Sequence, residues 1–414
     1  MEDTRTAALG LTLRSPLYRG AAAAVFLSAV GFSAAAPQIA AFLVGDLGAS
    51  LTTAGLFYLT NLTAPVAGYL IGARSDRSGR RLGLFRVCAL AGFLGWAGIA
   101  FATRIWVPFV LSAAVLAFAG AATSQVFAAL HDELRARPTG NDDGVVSVVR
   151  MALTGGWIVG PVAGALLAAH TSLRVMLVAT AVCTLAQVVP LGRLETPEPP
   201  RRDRATEQRP TVRTMLPLLA FTGLYVLVYA GEPIKYAYLP IHMNRDLGFG
   251  PGLSGAVIGV QPLVEIVLMP VAAIVARRIG AMRLMVVGAG FGVAANLCFA
   301  LSGSAAGLFA GQILMGGVWG VFAALGIIVA QRLLPHAVAT ASAIFMSSTA
   351  LASAIGGAAG GLGAAAVGLP LVFLVPAGLS LLAVAGLAAL RRAGPRYEAD
   401  REAPPMAGRD VAGQ

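Results

Sequence analysis

In this chain of 414 residues, 57% are apolar and only 12% charged, and the mean hydropathy of +0.78 exceeds what a water-soluble surface accommodates. The formal charge of +11 raises the question of nucleic acid, but the arginines sit in short clusters between apolar runs, so nucleic acid is not an expected partner. Cys88, Cys183 and Cys298 all fall inside apolar segments without metal spacing, which points to no redox or metal role.

Crossing a hydrocarbon core of about 30 Å takes about 20 largely apolar helical residues, and the long apolar runs exclude a barrel. The pattern predicts helices near 17–44, 51–73, 83–103, 106–130, 145–168 and 172–194. A second set follows near 212–241, 252–277, 283–302, 305–332, 338–366 and 369–391. The expected fold class is an all-α polytopic membrane protein, with twelve transmembrane helices in two pseudo-symmetric six-helix bundles. Acidic Glu2 and Asp3 precede Arg14 and Arg19 and an apolar run too long for a signal peptide, so the first helix is expected to be retained.

This division gives a first bundle over 1–194, a cytoplasmic linker over 195–213, a second bundle over 214–394 and a disordered cytoplasmic tail over 395–414. Pro197, Pro199, Pro200 and Pro210 exclude regular structure from the linker. The termini, the linker and the breaks after helices two, four, eight and ten hold 26 of the 30 basic residues, which places those faces in the cytoplasm of a bacterial inner membrane. The opposite faces keep Arg104, Arg174 and Arg245, and the sole lysine, Lys235, lies within an apolar run.

After helix two the chain reads Gly72-Ala73-Arg74-Ser75-Asp76-Arg77-Ser78-Gly79-Arg80-Arg81. Gly72 would admit a close helix contact, Gly79 a positive φ in a tight turn, and Asp76 a pair with Arg77 or Arg80. A positive-inside loop alone would explain the arginines but not the Gly, Asp and Gly spacing. The pattern G-x-x-x-D-R-x-G-R-R resembles the signature loop of the major facilitator superfamily. The resemblance implies that Asp76 faces the start of helix eleven and latches one conformational state. The second half repeats the motif as Arg277-Arg278-Ile279-Gly280-Ala281-Met282-Arg283 without the aspartate, as expected of unequal parallel repeats.

Helix five carries Gly156-Trp157-Ile158-Val159-Gly160-Pro161-Val162-Ala163-Gly164, which resembles the G-x-x-x-G-P-x-x-G element of exporters in that superfamily. Glycines four apart share a helical face, and Pro161 removes a backbone donor; ordinary small-residue packing, as in Gly356–Gly363, is the plain alternative. A narrower resemblance, to the sugar efflux transporter branch, rests on scattered matches. These are Gln38-Ile39-Ala40-Ala41-Phe42-Leu43, Asp46-Leu47-Gly48, Ala54–Tyr58, Ser124-Gln125, Arg150, Trp157–Pro161 and Tyr238-Leu239-Pro240. A single proline after Gly160, where the branch often has two, and the arginine-rich linker depart from it.

Charges retained inside apolar helices are costly, by at least about 2.5 kcal/mol on insertion scales, and invite functional readings. Glu232 and Lys235 are three apart on helix seven and fit an ion pair, structural or substrate-contacting, with Pro233 kinking the helix between them. Glu265 lies about 20 Å along helix eight with no base nearby in sequence, and an unpaired buried carboxylate favours its protonated form. Glu265 first, then Glu232, are the expected proton-coupling groups; a partner such as Arg150 or Lys235 is the alternative for Glu265. An Arg150 pair with Glu133 or Asp132 would form an inner gate, and snorkelling to the interface is the alternative.

Amides and aromatics suit a sugar, whose faces alternate hydroxyl and C–H surface. The candidate substrate-binding set is Gln38, Tyr58, Asn61, Gln125, Trp157, Tyr229, Lys235 and Gln261; polar glue between helices accounts for each taken singly. The candidate gating set is Gly72, Asp76, Arg77, Gly79, Arg80, Glu133, Arg150, Gly156, Gly160 and Pro161. No nucleotide-binding loop is present and no clustered catalytic set appears, so neither ATP drive nor enzymatic activity is expected. The expectation is a monomeric, cofactor-free exporter of a sugar or glycoside driven by proton antiport. A multidrug pump of the same superfamily and a non-transporting receptor are the alternatives.

Overall fold

The computed structural model of the chain describes residues 9–192, 194 and 212–393. Among these, twelve helices are long and apolar enough to cross a membrane, and no strand occurs. They are α1 (Pro16–Gly45), α2 (Leu51–Ser78), α3 (Arg81–Ala100), α4 (Trp106–Ala136), α5 (Gly144–His170) and α6 (Leu173–Leu191). The second six are α7 (Thr214–Asp246), α8 (Pro251–Ile279), α9 (Ala281–Leu301), α10 (Ala305–Leu333), α11 (Thr340–Val367) and α12 (Leu371–Arg392). The expected linker and tail lie outside the described residues, apart from Val212 and Arg213 at the start of the helix that becomes α7.

The helices alternate in direction, so the bundle has a basic end, carrying Arg74–Arg81, Arg135, Arg277 and Arg391, and a distal end. Their surfaces follow lipid logic: Leu94, Trp106, Leu216 and Leu381 all lie exposed on the outside. Two helices outrun their expected ends at the basic side. α2 continues through the Gly72–Arg77 motif to Ser78, where Gly79 at φ +66 closes it, so most of the expected loop is helix. α4 continues to Ala136 because its charged last turns find partners: Asp132 accepts from Arg81 at 2.9 Å and Glu133 from Arg137 at 3.1 Å.

Several helices are interrupted. α1 breaks near Pro37 between Pro16–Ala35 and Ile39–Gly45. α2 tightens into a 3₁₀ stretch over Phe57–Thr63, and α7 breaks at Ala230. Pro233 therefore falls in the first turn of the segment Gly231–Ile241, where its missing N–H would be unpaired in any case.

Small residues set how the halves meet. A Cβ at Gly357 of α11 would stand 2.5 Å from Gly55 O and from Tyr58 Cβ, and one at Gly255 of α8 would stand 2.9 Å from Val162 of α5. Both crossings lie in the distal part of the bundle, where Tyr238 also donates to Leu51 O at 3.0 Å. The apolar core follows the same division: one cluster fills the basic side of the first half, and the other runs from the second half into the distal part of the first. The halves are thus fused distally.

Candidate functional site

The charged centre is built on α7. Glu232 sits in the first turn of Gly231–Ile241, where a carboxylate faces the positive end of the helix dipole, and Lys235 follows one turn later. Lys235 Nζ donates to Glu232 Oε1 at 2.9 Å and to Oε2 at 2.8 Å, and both side chains are buried. Gln261 of α8 accepts from Lys235 Nζ through Oε1 and donates from Nε2 to Glu232 Oε1 at 3.5 Å. Trp319 of α10 donates its indole N–H to the same carboxylate oxygen at 2.5 Å. The ammonium also stands 4.4 Å over the ring of Tyr236. A buried pair with its remaining hydrogen-bonding capacity filled on three helices is well compensated.

Glu265 lies one turn beyond Gln261 on α8, half-buried and within electrostatic reach of Glu232 and Lys235. It makes no hydrogen bond or ion pair among the described residues, so Arg150 does not satisfy it. The cluster therefore sets two carboxylates against one ammonium. Tyr229 packs edge-on to Trp319 at 4.9 Å between ring centres, and so belongs to the aromatic wall of this cluster.

A cavity of about 390 Å³ lies within the first half, between α1, α2, α3, α4, α5 and α6. Tyr58, Asn61, Thr123 and Gln187 give it polar edges, and Phe32, Trp96 and Trp157 give it aromatic walls; none of its lining residues is charged. Its size is at the low end of the range for small-molecule sites, about 300–1,000 Å³. Thr60 and Ser112 share a hydrogen bond of 2.7 Å in its wall, and the Tyr58 hydroxyl is buried without a partner. Trp157 packs edge-on to Phe32 at 5.7 Å and stands 6.3 Å from Tyr236 of the second half.

The expected substrate-binding set is therefore divided. Tyr58, Asn61 and Trp157 line the cavity, whereas Lys235, Gln261 and Tyr229 build the charged cluster. Gln38 is buried at the α1 break and does not line the cavity. Gln125 is a correction, because it accepts from Ser75 Oγ beneath the basic end of α2 and not from anything in the cavity.

The gating set also needs correction. Asp76 pairs with Arg81 at 2.6 Å, not with Arg77 or Arg80, because Gly79 turns the chain so that Arg81 falls between Asp76 and Asp132. Asp76 is 72% exposed, and Arg77 and Arg80 are exposed; among the described residues Asp76 pairs only with Arg81 at the start of α3 and with no residue of α11. Arg150 is exposed and pairs with neither Glu133 nor Asp132, which are held by Arg137 and Arg81. A Cβ at Gly72 would meet nothing within 4 Å, so its smallness is not used for packing here. Gly156 and Gly160 do admit a close contact: Ser33 of α1 donates to Gly156 O at 3.1 Å, and a Cβ at Gly160 would stand 2.6 Å from Val30 O. The helix continues through Pro161, whose carbonyl is 3.3 Å from a Cβ built at Gly255 of α8.

Sequence reasoning missed Trp319, Tyr236, Thr123 and Gln187. A buried tryptophan needs an acceptor for its N–H, and this was the one signal that pointed to Trp319.

Twelve apolar spans in two sets of six define a multi-pass membrane protein, with an uncharged cavity inside the first set. The model of the Major Facilitator Superfamily matches at residues 21–231 and again at 221–411, and the chain belongs to that superfamily. Sugar efflux transporter A of Escherichia coli (strain K12) is 27% identical over 369 residues, covering 87% of this chain and 92% of that protein. Sugar efflux transporter B of Salmonella typhimurium (strain LT2) is 24% identical over 360 residues, covering 82% and 86%. Among solved structures, the nucleoside transporter NupG aligns with a TM-score of 0.77 at 15% identity, over 91% of this chain and 99% of that one. The POT family transporter PepTSo aligns with a TM-score of 0.74 at 14% identity, over 92% and 98%. These structural likenesses speak for the fold alone.

Proposed function

We propose that the protein exports a small uncharged polar molecule, a sugar or glycoside, by alternating access coupled to proton antiport. The observation that carries this reading is the cavity of the first half, where hydroxyl and amide groups are set among aromatic and aliphatic walls with no charge. Relatives that carry the name sugar efflux transporter over most of their length lend it further support. A pump for cationic drugs would call for an acid among the lining residues, and the cavity offers none.

On this reading the basic end faces the cytoplasm of a bacterial inner membrane, by the positive-inside rule. The distal crossings then close the outer side, and the exposed Asp76 marks an unlatched inner side that admits substrate from within. Glu265 carries the proton: it is the carboxylate of the cluster that no donor holds among the described residues, so proton uptake and release leave the Glu232–Lys235 pair in place. Trp157 and Tyr236 connect the cavity to that cluster across the interface between the halves. The transporter acts as a monomer with the two bundles, 1–194 and 214–394, rocking about the site.

The test is sugar uptake into inverted vesicles with and without an imposed pH gradient. Wild-type protein should accumulate sugar only with the gradient, and Glu265→Gln should lose accumulation yet retain sugar counterflow. Loss of counterflow in Glu265→Gln, to the same extent as driven transport, would remove the proton carrier assignment. Accumulation of cationic dyes in place of sugars would favour the multidrug alternative.

A further inference from the structure

The 3₁₀ stretch Phe57–Thr63 has a consequence for recognition. With three residues per turn, positions i and i+3 eclipse, so Tyr58 and Asn61 stand one above the other on one edge of α2. Both line the cavity. The Tyr58 hydroxyl is buried and has no hydrogen-bond partner among the described residues, an unfavourable state that a ligand group reaching it from the cavity would relieve. Asn61 donates from Nδ2 to Ser353 Oγ of α11 at 2.7 Å, while its carbonyl oxygen makes no hydrogen bond among the described residues. Ser353 reaches this point because Gly357, one turn further along the same face of α11, lets that helix close onto Tyr58.

An unused donor and an unused acceptor side by side suit two neighbouring alcohol groups, since each alcohol both gives and takes a hydrogen bond. We propose that Tyr58 and Asn61 form a diol-recognition subsite in the cavity wall, with Ser353 of the second half as the residue that positions it. The Tyr58 O–H donates to one sugar hydroxyl and Asn61 Oδ1 accepts from the next. Ser353, which lies outside the cavity lining, keeps the amide oriented so that Oδ1 faces the sugar. This inference rests on the sugar reading of the cavity.

The experiment is equilibrium binding to the detergent-purified full chain, using a panel of hexoses, methyl hexosides and disaccharides, followed by monodeoxy analogues of the tightest binder. Tyr58→Phe and Ser353→Ala should each weaken binding by about five- to tenfold. Tyr58→Phe, which deletes only an unpartnered hydroxyl, should leave the melting temperature unchanged or raised, and Ser353→Thr should retain affinity. One monodeoxy analogue should bind wild-type protein weakly and bind Tyr58→Phe equally well. Wild-type affinity in both Tyr58→Phe and Ser353→Ala, with full sensitivity to every deoxy analogue, overturns the subsite and leaves the sugar reading standing. If no sugar of the panel binds the wild-type chain, the sugar reading itself falls, and the subsite with it.

Discussion

Trp157 of the first half and Tyr236 of the second face each other with ring centres 6.3 Å apart, one ring in the cavity wall and the other beneath the Lys235 ammonium. This contact joins the uncharged site to the charged one. Trp157→Ala should weaken sugar binding by about tenfold, the scale of one lost stacking contact of about 1 kcal/mol or slightly more. Tyr236→Leu should leave sugar binding within about twofold and lower the sugar accumulated per unit of pH gradient. Binding calorimetry and vesicle uptake on the same two variants check the split.

The Glu232–Lys235 pair predicts a non-additive cycle. Removing one partner strands a buried charge, so Glu232→Gln and Lys235→Met should each lose about 3–5 kcal/mol of stability. The double variant should recover most of that loss, because no unpaired charge remains of the pair. Detergent melting curves of the three proteins measure it, and additive losses would contradict the pairing.

Two glycines of the resemblance-derived set should behave oppositely. Gly160→Ala forces a methyl group against Ser33 and Val30 of α1 and should lose about 1–3 kcal/mol. Gly72→Ala meets nothing and replaces a helical glycine, so stability should stay level or rise by up to about 1 kcal/mol. On the alternating-access reading proposed above, the basic ends of the halves approach in the opposite state, so its transport rate should nevertheless fall. Melting curves and initial uptake rates separate the two quantities.

Just ahead of α5, Asp142 accepts from the Thr139 N–H at 2.8 Å and from the Thr139 hydroxyl at 2.7 Å. The side-chain hydrogen bond first, and the backbone one second, hold its carboxyl below the usual carboxylate range. A folded-state value below the unfolded one makes this stabilisation fully present above the unfolded value, about 3.9, and lost as pH falls through the folded one. The melting-temperature gap between wild type and Asp142→Asn should therefore be constant at neutral pH and close below about pH 4.

The groups whose partners lie within one helix were legible in the sequence. Glu232 and Lys235 are three apart, and helical spacing alone brings them together; Gly79 likewise needed only its local turn. The groups whose partners lie on other helices were not legible. Gln125 went to Ser75, Asp76 to Arg81 and Gln261 to Lys235, because helix rotation and tilt decide which side chains meet.

By itself, then, the sequence determined twelve spans in two sets, a basic end and a set of intramembrane charges, because hydropathy and charge act on each helix separately. Only the tertiary structure decided that the neutral polar residues divide between a cavity in the first half and a charged cluster in the second. The 3₁₀ turn that aligns Tyr58 with Asn61, and the glycine crossing that carries Ser353 to them, exist only once α2 and α11 are packed together. Close packing of small residues fixes those distances, and a linear pattern of apolar and polar residues carries no record of them.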